Sequence, residues 1–417
     1  MHTHPHGSEH RSDPVVVKRL AAAVLPFLVA TVIGLVVLWP SGGGDDLRQG
    51  PPPAERYRAT VVSVEDDGCD APPTVGELVC SIIEVRLDEG PDESSSFSFP
   101  ATAGSNQRGF EPGDRILVTK APEGQPGPRY FFADYQRDKP LILLVGLFAV
   151  VVIALSRLRG ITSLIGLGVS LLILVRFVIP AMLEGHNPVA VAIVGSAAIM
   201  LIALYLAHGV NVWTTCAVLG TFASLALTGA LAVVFVDLSQ FTGFGTEEAA
   251  FLQISAGQIN LEGLLLGGII IGTLGVLDDV TVTQASAVWE LHLANPSYGV
   301  PQLYRSAIRI GRDHIASTVN TLVLAYAGAS LPLLILFTLS SQSLTGVLTS
   351  EVVAEEIVRT LVGSIGLVTS VPITTALAAL VVSRHGPGPA EADPDPLAPS
   401  VPRSKFEREW FSDKDES

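Results

Sequence analysis

Two adjacent aspartates, Asp278 and Asp279, close a run of fifteen oily, glycine-rich residues, "GLLLGGIIIGTLGVL" (Gly263–Leu277). Carboxylates at the edge of such a stretch can bind a proton or a cation, and ionisable groups below a lipid surface are costly enough to mark function. A helix needs about 20 apolar residues to cross a bilayer core. This run is shorter, and Gln258, Asn260 and Glu262 precede it. Either Glu262 or the aspartates therefore lie at membrane depth, or the segment is a broken or re-entrant helix. Glycine-interrupted spans of that kind build binding sites in secondary transporters.

The residues that follow extend the polar pattern. Asp279, Thr283, Ser286 and Glu290 recur at i, i+4, i+7 and i+11, on one helical face, with Val280, Val282, Ala287, Val288 and Leu291 opposite. This reads as a stripe lining a cavity; the bland alternative is an amphipathic helix lying on the inner leaflet. Asp278 and Asp279 point in different directions on a helix, so at most one of them is expected to do chemistry. Further on, His314, Ser317, Thr318 and Thr321 form a stripe at i, i+3, i+4 and i+7, beside a second one of Asp313, Ser317 and Asn320. Serine, threonine and asparagine often only join membrane helices. Imidazole is the side chain suited to carrying protons under physiological conditions, and an aspartate beside His314 would make a proton-carrying pair, although a helix-end role suits a lone histidine equally well. Arg176 could snorkel toward Glu184 or pair with Asp237, and Glu355 with Arg359 has the i, i+4 spacing of an ordinary surface pair.

Composition sets the frame for these groups. Only 16% of the 417 residues are charged, against about 25% in soluble domains, and 48% are apolar but just 6% aromatic. The excess is aliphatic, which excludes a purely soluble enzyme and a disulfide scaffold. The net charge of -15 argues against a nucleic-acid partner. Eight hydrophobic runs are expected as spans: Leu20–Trp39, Leu141–Ser156, Ile161–Leu183, Val189–Ala207, Val212–Val236, Leu261–Leu277, Ile315–Leu339 and Ile357–Val382.

The domain reading follows from these runs. Residues 1–19 form a cytoplasmic tail, 20–39 a signal-anchor helix, 139–383 a seven-helix membrane domain and 384–417 a disordered tail. Residues 40–138, with alternating runs such as Tyr57–Val64 and Ile82–Leu87, read as a small inserted β domain, a barrel of the OB or SH3 type. In "FEPGDRILVTK" (Phe110–Lys120), Gly113 and Asp114 supply a turn feeding a strand. The fold class is thus an all-α polytopic bundle with an extracytoplasmic β-barrel-like insert.

Short loops rich in Lys and Arg stay cytoplasmic. Eight spans with an inside N-terminus gather Lys18/Arg19, Arg157/Arg159, Arg305/Arg309/Arg312 and Arg384 on one side. The other side receives Glu184, the Asp237–Glu248 loop and Glu351/Glu355/Glu356. Both termini are then cytoplasmic and the β domain is exported, where a Cys69–Cys80 bridge can form. Cys216, within a helix, reads as a packing residue. His2, His4, His6 and His10 could capture a metal weakly, but a tail fixes no geometry. There is no Walker loop, dinucleotide fingerprint, HExxH or GxSxG, so no cofactor, ATP-driven pump or common membrane hydrolase is expected.

"GVLDDVTVTQASAVWEL" (Gly275–Leu291) followed by "GRDHIASTVNTLVLAYAGASLPLL" (Gly311–Leu334), with a short basic loop between them, resembles the signature of the YibE/F-like family of bacterial multipass membrane proteins. The resemblance spans residues 57 to 382. It implies a leading helix, an exported β domain and a multi-helix block in a bacterial cell membrane, and the family is usually described as transporters.

The leading expectation is a secondary transporter or exporter of a small solute or ion, with no enzymatic step. Asp278 and Asp279 would bind a proton or cation, Thr283, Ser286 and Glu290 would extend the polar stripe, and His314, Ser317, Asn320 and Thr321 would line the path. The alternative is a non-catalytic envelope assembly or sensing protein whose β domain binds an extracytoplasmic partner. Either reading is compatible with a homo-oligomer. An intramembrane enzyme is the least favoured, because no nucleophile accompanies the acid and base.

Overall fold

A computed structural model describes residues 14–42, 55–65, 78–104, 109–121, 129–255, 259–339 and 343–384. The tail histidines His2, His4, His6 and His10, the 384–417 tail beyond Arg384, and the Cys69–Cys80 bridge lie outside what is described. Chain order is α1 (Pro14–Val37), five strands, then α2 (Asp138–Ser156) to α12 (Glu351–Val382).

The strands are β1 (Arg56–Glu65), β2 (Leu78–Leu87), β3 (Ser96–Gly104), β4 (Arg115–Lys120) and β5 (Tyr130–Tyr135). They form one antiparallel sheet in the order β3-β2-β1-β4-β5. Alternate residues (Ala59 and Val61; Ile83, Val85 and Leu87; Ile116 and Val118) turn to one face and close over Phe99 and Tyr130. Bulges at Val61/Ser63 and Leu117/Val118 bend the sheet. It curls into a half-barrel rather than the closed barrel expected, because the end strands β3 and β5 are not hydrogen-bonded to each other. The turn before β4 is as expected: Gly113 has φ +95° and the Asp114 carboxylate accepts from the Glu111 N–H at 3.0 Å.

Tyr130 is buried beneath this face, and its hydroxyl donates to Asp92 at 2.6 Å. Burial first, then the Asp92 bond, pushes its pKa up to about 12. Tyr130→Phe leaves Asp92 with Arg129, 3.2 Å away, so the substitution should cost about 1 kcal/mol. Faster hydrogen exchange of the β2 and β5 amides checks this.

Among the described residues, seven helices are long and apolar enough to cross a membrane: α1, α2, α3 (Leu158–Ile173) with its continuation to Leu183, α5 (Pro188–His208), α6 (Val212–Leu238), α8 (Leu261–Ala294) and α12. An eighth candidate is the pair α9 (Val300–Ala329) and α10 (Leu331–Leu339), bent by 60°. The remaining helices are α4 (Ile179–Leu183), α7 (Glu247–Ser255) and α11 (Leu344–Leu348).

Burial concentrates on α5, α6, α8 and α12, whereas α2 buries no residue. Small residues let the central helices approach closely. A Cβ on Gly220 of α6 would lie 2.2 Å from Thr374 Oγ1, and one on Gly366 of α12 would lie 2.1 Å from Thr228 Oγ1. Gly195 similarly leaves room for Val178. Cys216 is a buried free thiol in the packing between α1, α6, α8, α9 and α12.

A clasp ties the end of α1 to the α4–α5 connection. Glu184 accepts from the Ser41 N–H at 2.8 Å, the Gly42 N–H at 3.0 Å and the Ser41 hydroxyl at 3.1 Å. These bonds, the Ser41 N–H foremost, hold its pKa below the usual carboxylate range. A depressed carboxyl stabilises the fold above its unfolded value and loses that contribution as pH falls through the folded one. The Ser41 and Gly42 amides should therefore stay protected from exchange at neutral pH and open in acid, and Glu184→Gln should remove the acid transition. Arg176, which sits in a π-helical turn (Leu174–Val178), pairs with neither Glu184 nor Asp237.

Candidate functional site

The glycine-rich run does not break. It is the first half of α8, 34 continuous helical residues, whose N-terminus is capped by the Asn260 side chain accepting from the Gly263 N–H at 2.9 Å. Glycine weakens a helix by roughly 1 kcal/mol relative to alanine, but here it provides close contact instead of a hinge. A Cβ on Gly263 would meet Pro188 at 3.2 Å, and one on Gly267 would meet Ala192 and Met182 at 3.3 Å. The break lies in the following span, at Ser330 between α9 and α10. The expected broken sixth helix is thus corrected to a straight-through sixth and a bent seventh.

A 34-residue helix is roughly 50 Å long, well beyond a hydrocarbon core of about 30 Å. Asp278 and Asp279 fall at the middle of α8, within about 20 residues of its start. The contacts of Gly263 with Pro188 and of Gly267 with Ala192 fix α5 and α8 in register. Carried along the parallel helices, that register sets Asp279 level with Leu204, one turn inside the His208 end of α5.

Both aspartates line one cavity of about 530 Å³ between α3, α5 and α8. Its other walls include Ser163, Gly166 and Ser170 of α3, Ala207 and His208 of α5, and Gly275 and Thr283 of α8. The two neighbours were expected to diverge. They share a cavity because α3 and α5 flank the same broad side of α8, and Gly275 adds no side chain there. The Asp278 Oδ1 is enclosed and has no hydrogen-bond partner, while Asp279 is exposed. Thr283 donates its hydroxyl to the Asp279 carbonyl at 2.6 Å, and Thr281 bridges the Asp278 carbonyl (3.2 Å) to Thr221 of α6 (2.7 Å). Ser286 is half-buried and Glu290 exposed, both nearer the end of α8 and outside the cavity lining.

His314 does not join the aspartates. It lies on α9, whose Ile308, Ile315 and Val319 pack in an apolar cluster with Val276 and Val280 of α8. No hydrogen bond or ion pair joins His314 to either aspartate, and its Nε2 is buried without a partner. Ser317, Asn320 and Thr321 are exposed on α9, and Thr321 returns its hydroxyl to the Ser317 carbonyl at 3.0 Å. None of these four lines the aspartate cavity.

The imidazole that does line it is His208, held edge-on to Trp213 with ring centroids 5.5 Å apart and acted on electrostatically by Arg159. Sequence reasoning passed over it. Its local signal, a histidine just before the glycine that ends α5, is that of a helix terminus, and only the α5–α8 register brings it to the aspartates. Among the described residues, no group of three or more His, Cys, Asp or Glu side chains could hold a metal ion.

The Glu355–Arg359 expectation is also corrected. Arg359 pairs with Glu356, Nη1 to Oε1 at 3.1 Å, and Glu355 is buried at 5% exposure. The reason is position: the Phe241–Gly245 segment covers Glu355, whereas Glu356 points away from it.

A bundle of apolar helices with carboxylates carried into its interior defines a multi-pass membrane protein. The sequence profile of the YibE/F-like proteins matches residues 144–384, more than half of the chain, which therefore belongs to that family. No curated protein and no solved structure matches it.

Proposed function

We propose that the protein is a secondary transporter or exporter of a small solute or ion, with Asp278 and Asp279 binding the coupling proton or cation. The observation that carries this reading is the Asp278 carboxyl, placed halfway along a 34-residue helix with Oδ1 unbonded beside a polar cavity. A carboxylate withdrawn from bulk water is held most cheaply when a proton or cation neutralises it. Asp279 adds a second acid, Ser163 and Ser170 offer hydroxyls, and His208 stands at the mouth as a proton acceptor or donor. No bond-making chemistry on the substrate is required.

In this reading α9 and α10 together make one bent span, the seventh of eight in chain order. The basic groups Lys18/Arg19, Arg157/Arg159 and Arg305/Arg309/Arg312 then face the cytoplasm, with both termini, and the curled sheet lies outside the cell membrane. The cavity opens toward the cytoplasmic half.

Reconstituted vesicles bearing a pH gradient test the proposal. Asp278→Asn and Asp279→Asn, made separately, should each lower proton-coupled flux, with Asp278→Asn the more severe. Full activity in both variants would remove the mechanism. Deleting residues 45–135 separates the assembly alternative, because a transport core retains flux without the sheet and an assembly role does not survive its loss.

A further inference from the structure

We propose that Glu355, one turn into α12, is a second proton-binding site, closed over by the Phe241–Gly245 segment at the end of the bundle opposite the aspartate cavity. The inference rests on the transport reading for its purpose but on separate geometry for its existence. Glu355 is 5% exposed, and its Oε1 has no hydrogen-bond partner. Its carboxylate is aimed at the covering segment, since a Cβ built on Gly245 would lie 2.8 Å from Oε1 and 2.9 Å from Oε2.

The other charges nearby are already engaged or turned outward. Glu351 accepts from the Thr242 N–H at 2.6 Å, the Thr242 hydroxyl at 2.7 Å and the Gly243 N–H at 2.9 Å. Glu356 holds Arg359. Asp237 at the end of α6, Glu247 and Glu248 of α7 and Glu262 of α8 are exposed, and Tyr326 of α9 lines a groove with Val353 and Glu356. Glu355 is thus an enclosed acid with no ion-pair partner. A proton fits against Gly245 where a hydrated cation does not.

Glu355 and Asp278 belong to opposite halves of one helix trio. Gly363 of α12 lies beside Thr273 of α8, which separates the levels of the two acids by about 13 residues, or roughly 20 Å. Between them lie apolar side chains that include Ile269 and Val362, and then the buried hydroxyls of Thr228, Thr273 and Ser364.

Amide hydrogen exchange of residues 241–246, measured across pH on the full chain in lipid nanodiscs and corrected for intrinsic exchange, tests the site without any flux assay. The wild-type segment should lose protection by about tenfold in a single-proton transition as pH rises, because ionising an enclosed carboxyl whose Oε1 has no donor is costly and the Gly245 N–H offsets that only in part. Glu355→Gln should stay protected throughout, and Glu355→Asp, one methylene shorter, should shift the midpoint. Asp278→Asn should leave the transition in place, so failure of the cavity mechanism and failure of this site read out separately. A flat wild-type profile, or a transition unchanged in Glu355→Gln and Glu355→Asp, would overturn the proposal.

Discussion

Asp278→Leu is expected to abolish coupled flux while making the protein more stable. In most positions a lost side chain weakens the fold, typically by about 1 kcal/mol. Here the native Asp278 Oδ1 is enclosed with no donor to it, inside a helix that spans the apolar region. An apolar side chain of similar volume removes the unpaired polar group, which costs about 1–3 kcal/mol when buried without a partner. Unfolding in a detergent titration should therefore shift to higher denaturant. Flux should fall at least about tenfold, equivalent to about 1.4 kcal/mol in the rate-limiting barrier. Asp279→Leu should change stability little, because that residue is exposed to the cavity. A residue kept for structure would show the reverse, with lost stability accompanying lost activity.

The second large effect belongs to the packing of α6 against α12. Gly220 faces Thr374, and Gly366 faces Thr228, a reciprocal pair in two antiparallel helices. A Cβ on Gly366 would fall 2.1 Å from Thr228 Oγ1 and 3.2 Å from its Cβ, so the helices must separate or Thr228 must give up its bond to the Ser224 carbonyl at 2.8 Å. Overpacking of this kind costs about 1–3 kcal/mol, and Gly366→Val adds a second branch to the clash, so little folded protein should be recovered. Gly366→Ala should be rescued in part by Thr228→Ala, which removes the obstructing oxygen; the double-mutant cycle measures that coupling. Gly146→Ala in α2 is the control, because nothing lies within 4 Å of a Cβ there.

The sequence carried the architecture further than the site. Hydrophobic runs located the apolar helices because about 20 apolar residues have few other soluble solutions, and alternation located strands such as β2. The Gly113–Asp114 turn was legible because its chemistry is local. The continuity of α8 was not. Glycines read as breakers reflect contacts with Pro188 and Ala192 made by another helix, and no period within Gly263–Leu277 reports them.

The partner of the aspartates was misread for the same reason. His314 stands closer in sequence and in an attractive stripe, yet α9 presents its apolar residues to α8, while His208 arrives through the parallel packing of α5. Glu355 and Arg359 matched a surface spacing, but i, i+3 pairing with Glu356 and cover from Gly245 decided their fates. Local periodicity says which face a residue occupies; what that face meets is settled only by the other helices.

The central claim is that Asp278 holds a proton within the membrane, and a hydrophobic carbodiimide reads this directly, since it modifies carboxyls that carry a proton in an apolar setting. Treatment of the vesicle-embedded full chain, followed by mass-spectrometric mapping, should place an adduct on Asp278, with labelling suppressed as pH rises and flux lost in proportion to the adduct. Exposed acids such as Glu290 should remain unmodified. Absence of an Asp278 adduct at every pH, in protein that still transports, would contradict the account.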